Sequence, residues 1–302
     1  MRSDVWWPIE PIFVYIFDSK RGRMSNSAMT EDSVSIIKPK SGWSIADWKE
    51  LMEYRDLLFF LVWRDVKVLY AQTILGFAWA ILNPLVQIII FSIIFGKIAQ
   101  LSSEGVPYLV FSSLAIIPWT YMSSTMGTAS QSLVSGQGML GKIYFPRIIF
   151  PLSSVLSKLV DFAISFLIIL CVLVFYGIAP TWNFLYLPIF FLFMVILPAG
   201  VGMWLSSLAI RFRDVRFGMQ FGIGMLMYSA PIVYSASSME ENIRFIYSFN
   251  PIVGIIEGYR ACLLGTPMPW MYIMPGFVVA FLIFISGAWY FKRMEYMMVD
   301  VI

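Results

Sequence analysis

The chain has 302 residues, of which 59% are hydrophobic and 13% charged, against about 25% charged in a soluble domain. With a mean hydropathy of +0.78, this is the composition of an integral membrane protein. The net charge of +3 is small, and no basic patch stands apart from the ends of apolar runs, so nucleic acid is not an expected partner.

Residues 1–46 read as a cytosolic N-terminal tail. Their apolar patch, Ile12 to Phe17, is too short to span a bilayer, follows Pro8 and Pro11, and lacks a cleavage signal. Translation from Met24 or Met29 is one reading of residues 1–23; a weak interfacial anchor is the other. Residues 47–73 carry a helical pattern with an apolar centre, Leu57 to Trp63, between Arg55/Asp56 and Arg64/Asp65/Lys67. That centre covers only about 10 Å of helix and cannot cross a hydrocarbon core of about 30 Å. It fits an amphipathic helix lying flat at the interface.

Residues 74–293 hold six candidate spans, at about 74–97, 106–128, 148–177, 184–209, 217–236 and 271–291. Pro84 should kink the first, and Pro118 lies near the middle of the second. An even number of spans puts both termini on one side. That side holds 18 of the 21 Lys and Arg residues, leaving Lys97, Arg244 and Arg260 opposite. The positive-inside rule makes the richer side cytosolic, and residues 294–302 a cytosolic tail. Residues 237–270, on the outer side, contain two short apolar pieces broken by Asn250-Pro251, each too short to span. They read as a re-entrant pair of helices. A plain outer loop is the alternative.

Candidate chemistry is sparse. The chain has no histidine, which removes the commonest general base, metal ligand and proton shuttle. Cys171 and Cys262 lack metal-ligand spacing and read as packing residues. Gly136, Gly141 and Lys142 match a phosphate-binding loop, but Ile143 stands where the magnesium-holding hydroxyl belongs and Pro146 would cut the following helix short. No bound nucleotide, metal or other cofactor is expected in this chain. By topology the stretch is cytosolic, and Tyr144, Phe145, Pro146 and Arg147 form an aromatic and basic knob suited to a partner's groove. An ordinary linker at a membrane boundary is the alternative. Lys158 and Asp161 are the only charges well inside a span, three apart on one face. They fit a structural ion pair better than a proton relay.

The runs Tyr54-Arg55-Asp56-Leu57-Leu58, Val62-Trp63-Arg64-Asp65-Val66-Lys67-Val68, Gln72-Thr73-Ile74-Leu75-Gly76 and Trp79-Ala80-Ile81-Leu82-Asn83-Pro84-Leu85 resemble the opening of type-2 ABC transporter permeases. The likeness is to those that export O-antigen, capsule or teichoic-acid polysaccharides. Lys142-Ile143-Tyr144-Phe145-Pro146-Arg147, Arg211-Phe212-Arg213-Asp214-Val215-Arg216 and Asn250-Pro251 extend it over about residues 36–293. The resemblance implies an all-α ABC-2 exporter fold in the cell (inner) membrane, with a cytosolic interface helix, six transmembrane helices and two re-entrant outer helices.

It further implies a transport permease rather than an enzyme, working as a homodimer with two copies of a separate ATPase that binds ATP and Mg. Within residues 130–147, Gly141, Lys142, Tyr144, Phe145, Pro146 and Arg147 would couple to that ATPase. Asn250, Pro251, Glu257 and Arg260 would belong to an outer gate. The path would run between subunits along spans one and five, making Phe77, Trp79, Phe91, Phe95, Trp119, Tyr121, Tyr228 and Tyr234 candidate sugar contacts. Arg64, Lys67, Arg211, Arg213 and Arg216 would attract the diphosphate of a lipid-linked glycan, or serve only to set topology. Membrane lipids complete the expected partners. Rival readings are an ABC-2 exporter of a small lipid or drug, a secondary carrier built on Lys158 and Asp161, and, least favoured, a membrane enzyme.

Overall fold

The structure is a computed structural model that describes residues 48–71, 76, 78–140 and 145–295. Among these residues the regular structure is all helical, with no strand. Helices α1 (Trp48–Glu53) and α2 (Arg55–Tyr70) are separated by a break at Tyr54. Leu61 and Val66 of α2 are buried against the bundle, while Phe59, Phe60 and Trp63 are exposed on one face and Val68 and Leu69 are exposed elsewhere on the helix.

Helix α3 (Ala78–Phe91) contains Pro84 and continues as a π-helical stretch, Ser92–Ile98. Proline removes one backbone donor from the ladder, and the wider π turn changes the helix register again before it ends. A loop follows in which Gln100 and Glu104 both have positive φ, with Gly105 beside them.

Helix α4 (Tyr108–Ser135) is the most enclosed element. It is rich in serine and threonine, yet largely buried, and its serines bond their own helix. Ser113 donates to the Val110 carbonyl at 2.7 Å, Ser130 to Gly127 at 2.7 Å and Ser132 to Ala129 at 2.6 Å. Such back-bonding satisfies a buried hydroxyl without a neighbour. The helix runs on to Ser135, past the end near residue 128 that the sequence suggests. A short turn of helix, α5 (Gln137–Leu140), follows.

Helix α6 (Ile149–Phe175) packs on α2 and α4. A 3₁₀ turn (Trp182–Tyr186) leads into α7 (Leu187–Arg211), which packs on α4 and α11. The extended residue Phe212 separates α7 from α8 (Arg213–Tyr228). Helix α8 ends eight residues before the expected 236, because Ser229-Ala230-Pro231 turns the chain into an irregular segment.

Two short helices, α9 (Glu241–Tyr247) and α10 (Pro251–Leu264), follow. Asn250 caps α10, accepting from the Ile252 N–H at 3.1 Å, and Pro251 fits the first turn, where no donor is needed. Gly265 ends α10 in the left-handed conformation, φ 72°, and a side chain there would also strike Thr181. Helix α11 (Trp270–Glu295) closes the described chain.

Among the described residues, four helical stretches are long and apolar enough to cross a membrane: Ala78–Ile98, Ile149–Phe175, Trp182–Arg211 and Trp270–Glu295. Helices α7 and α11 touch backbone to backbone. A Cβ added at Gly200 would lie 2.6 Å from the Phe284 Cα, and one at Gly287 would lie 2.4 Å from the Gly200 carbonyl oxygen. Small residues permit this approach. A large apolar core joins α4, α6, α7, α10 and α11. A smaller one gathers Leu61, Leu133, Phe145, Phe150, Phe291 and Met294 at the end of the bundle that carries Arg147.

Candidate functional site

At the opposite end of the bundle, charges are buried around the segment that follows α8. Arg260 is 2% exposed. It donates to Glu257 at 3.0 Å and to the Ile232 carbonyl at 3.2 Å, and its guanidinium lies 3.7 Å from the centre of the Phe111 ring. Glu257 also accepts from the Ala236 N–H at 3.3 Å. The Tyr108 hydroxyl donates to Val233 at 2.7 Å, and Glu104 accepts from the hydroxyls of Ser235 and Ser237. Burial pushes the Glu104 carboxyl up. The two hydroxyls, then the charges of Arg260 and Arg244, outweigh this and hold it below the usual carboxylate range. Tyr247 and Asn250 donate to the Ser229 carbonyl, each at 2.8 Å. Residues 229–238 are thus strapped down by side chains from α9, α10, the start of α4 and the loop before it.

Of the residues expected at an outer gate, Arg260 and Glu257 are paired within the chain and hold the strap. Asn250 and Pro251 shape the start of α10, with Asn250 also tied to the strap.

At the Arg147 end, Gly141, Lys142 and Tyr144 lie outside the described residues. Phe145 is 4% exposed, its ring 5.5 Å from that of Phe150. The expected exposed aromatic knob therefore does not extend to Phe145, which is a core residue. Its apolar ring gains more from the small cluster than from water. Pro146 and Arg147 are half-buried. The Arg147 N–H donates to a carboxylate oxygen of Glu295 at 2.9 Å, and its guanidinium donates to the Glu295 carbonyl at 3.2 Å. Gly136 caps α4 with its Cα against the Phe150 ring, where a Cβ would come within 2.4 Å. That glycine has a packing reason unrelated to phosphate.

Along α6, Lys158 pairs with Asp161 at 3.2 Å, as their spacing suggests. Asp161 also accepts from the Tyr70 hydroxyl at the end of α2. Asp65 of α2 pairs with Arg64 at 2.8 Å and accepts from Ser153 of α6 at 3.4 Å. These contacts form a polar seam between α2 and α6. Arg64 is engaged there, whereas Lys67, Arg211 and Arg213 are exposed and Arg216 is half-buried.

The candidate sugar contacts divide sharply. Trp119 and Tyr121 are buried in the large core, and Tyr121 donates to the Val155 carbonyl at 3.3 Å. Neither ring is open at the surface of the chain. Phe91 and Phe95 pack on each other, half-buried. Tyr234 shares a hydrogen bond with the Tyr247 hydroxyl at 3.0 Å. Trp79 and Tyr228 are exposed, Tyr228 at 76%. Phe77 lies outside the described residues. The structure adds Phe217, 79% exposed, and Phe221, both on α8, a helix that buries only Met219. The 217–221 spacing was legible as one helix face, but nothing in the sequence alone marked that face as unpacked.

Residues 56–264, more than half the chain, match the family described as ABC-2 type transporter. The chain belongs to the ABC-2 type transporter family. This ABC-2 chain is 27% identical over 248 residues to the O-antigen export system permease protein RfbA of Klebsiella pneumoniae, covering 82% of the chain and 95% of that protein. It is 26% identical over 223 residues to the protein of the same name from Myxococcus xanthus, covering 73% and 85%. It is 24% identical over 220 residues to the polysialic acid transport protein KpsM of Escherichia coli, covering 71% and 80%.

The family match takes in α2 through α10, and with them the strap, the polar seam and Arg147. Glu295 lies beyond it. Among the described residues of the ABC-2 chain, no three His, Cys, Asp or Glu side chains gather as a metal-ligand set. Among the described residues the arrangement holds a buried ion pair, Arg260 with Glu257, that fixes the strap, and two helices, α3 and α8, with open apolar faces.

Proposed function

We propose that this chain is the permease subunit of an ATP-driven exporter that carries a lipid-linked polysaccharide of the O-antigen kind from the cytosolic side across the inner membrane. Similarity to O-antigen export permeases along nearly the full length of those relatives supports the substrate class. Capsule or teichoic-acid polymers are variants of the same reading, and the likeness to a polysialic acid transport protein supports that breadth.

The geometric observation that carries the reading is the open flank of the bundle. Helix α8 exposes Phe217, Phe221 and Tyr228, and α3 exposes Trp79 among aliphatic side chains. Gly218, Gly222 and Gly224 of α8 have no atom within 4 Å of where a Cβ would stand. Flat rings beside bare backbone suit both a second copy of the chain and sugar faces moving between the copies. In this reading the working unit is a homodimer with two ATPase subunits, and α3 and α8 border the path.

Six spans then cross the membrane with both termini cytosolic. Helix α4, with 28 residues, is about 42 Å long by helical rise, and its serine hydroxyls bond their own helix. Helix α8, with 16 residues, reaches about 24 Å and the strap completes its crossing. Helices α9 and α10 are the re-entrant pair on the outer side, and α1 with α2 lies at the cytosolic interface, its exposed apolar face against lipid. Lys67, Arg211, Arg213 and Arg216 attract the diphosphate of the glycan carrier. ATP binding closes the partner subunits, which displace residues 136–147 and tilt the helices joined to them.

The test is Arg147→Glu in cells that express the permease with its ATPase. Polymer at the cell surface should fall at least about tenfold, the cost of roughly one charge-assisted contact, while the permease remains in the membrane. Normal export by this variant would remove the coupling assignment.

A further inference from the structure

We propose that Glu295, at the end of α11, is a positioning residue for the coupling turn, and that α11 receives the ATPase's displacement together with α6. The inference rests on the coupling role proposed for Arg147, but on different contacts.

The Glu295 carboxylate accepts from the Arg147 N–H at 2.9 Å, two residues before α6 begins at Ile149. A negative charge there faces the positive end of the α6 dipole. In return, the Arg147 guanidinium donates to the Glu295 carbonyl at 3.2 Å, at the negative end of α11. The two residues thus tie the turn that leads into α6 to the end of α11, and both interactions have the favourable sign for the helix dipoles. Apolar packing reinforces the junction. Phe145 before the turn and Ile149 after it share the small core with Phe291 and Met294 of α11.

A push on residues 136–147 thus meets two helices at once. Helix α6 follows by chain connection. Helix α11 follows through Glu295 and the packing around Phe145, and it lies against α7 and α10. Because α10 holds the strap through Arg260 and Glu257, α11 offers a direct mechanical route from the coupling turn to the far end of the bundle.

The experiment compares Glu295→Ala, Glu295→Gln and Arg147→Glu, with the full-length permease co-purified with its ATPase. Basal ATP turnover is measured in liposomes of phosphatidylethanolamine and phosphatidylglycerol, and polymer export at the surface of cells lacking the native permease. Permease level in the membrane normalises both. Glu295→Ala should keep ATP turnover within about twofold while export falls about tenfold, as for loss of one charge-assisted hydrogen bond. Glu295→Gln keeps an acceptor oxygen for the Arg147 N–H and should lie between Glu295→Ala and the unaltered chain.

Unchanged export per ATP in Glu295→Ala, with Arg147→Glu uncoupled, would overturn this inference and leave the coupling reading standing. Proportional loss of ATP turnover, export and membrane level in both Glu295 variants would also overturn it, because that is the mark of a purely structural residue. Normal export by Arg147→Glu would instead sink the coupling reading itself.

Discussion

Replacing Arg260 with methionine isolates the energetics of the buried strap. The side chain is 3% exposed and its partner Glu257 11% exposed, so the pair is sheltered from screening. Arg260→Met keeps the packing volume approximately but leaves the Glu257 carboxylate without its cation. Breaking a buried pair this way costs about 3 to 5 kcal/mol. The lost donation to the Ile232 carbonyl and the lost contact with the Phe111 ring fall within the same range, because these contributions do not add independently. The melting transition of the purified permease in nanodiscs, followed by intrinsic fluorescence, should fall on the order of 10 °C. The double variant Glu257→Gln with Arg260→Met removes both charges and should recover about half of the loss or more, since an apolar or neutral pair of similar volume is often as stable as an ion pair. A drop of less than about 2 °C for Arg260→Met, or a double variant no more stable than the single, would refute the assignment of Arg260 as the strap's anchor.

Two further outcomes follow from packing. Gly200→Ala places a Cβ 2.6 Å from the Phe284 Cα, so α7 and α11 must part. The cost of such overpacking is about 1 to 3 kcal/mol, visible as a lower melting temperature, and an unchanged transition would contradict the backbone contact. Trp79→Ala should reduce surface polymer without reducing permease in the membrane, whereas Trp119→Ala should reduce the protein itself, since emptying a buried Trp site costs about 3 to 5 kcal/mol. Immunoblots of membranes beside a surface glycan assay separate the two. Parallel loss of protein and polymer in Trp79→Ala would remove that ring from the path.

The long apolar helices were legible because continuous hydrophobicity over more than 18 residues admits few other readings. Expected spans at 148–177, 184–209 and 271–291 coincide with Ile149–Phe175, Trp182–Arg211 and Trp270–Glu295. Helix α4 was harder to bound, since serines count as polar in a sequence although each here is satisfied by its own helix. Pro231 carried the signal for the early end of α8. Pairs at i, i+3, such as Lys158 with Asp161 and Glu257 with Arg260, were readable from helical spacing alone. Partners far apart in sequence were not. Tyr70 with Asp161, Glu104 with Ser235 and Glu295 with Arg147 meet only through tertiary packing, and no local pattern announces them.

The hydroxyl chemistry of α4 bears on how the bundle moves. Ser112, Ser113, Ser123, Ser124, Ser130, Ser132 and Ser135 all donate to carbonyls three residues earlier in their own helix. Those serines ask nothing of α6 and α7, and the contact α4 makes with α6 through a hydrogen bond comes instead from Tyr121, which donates to the Val155 carbonyl. The polarity of this central helix is thus turned inward, and its serines leave few directional bonds to be broken if a neighbouring helix shifts along it.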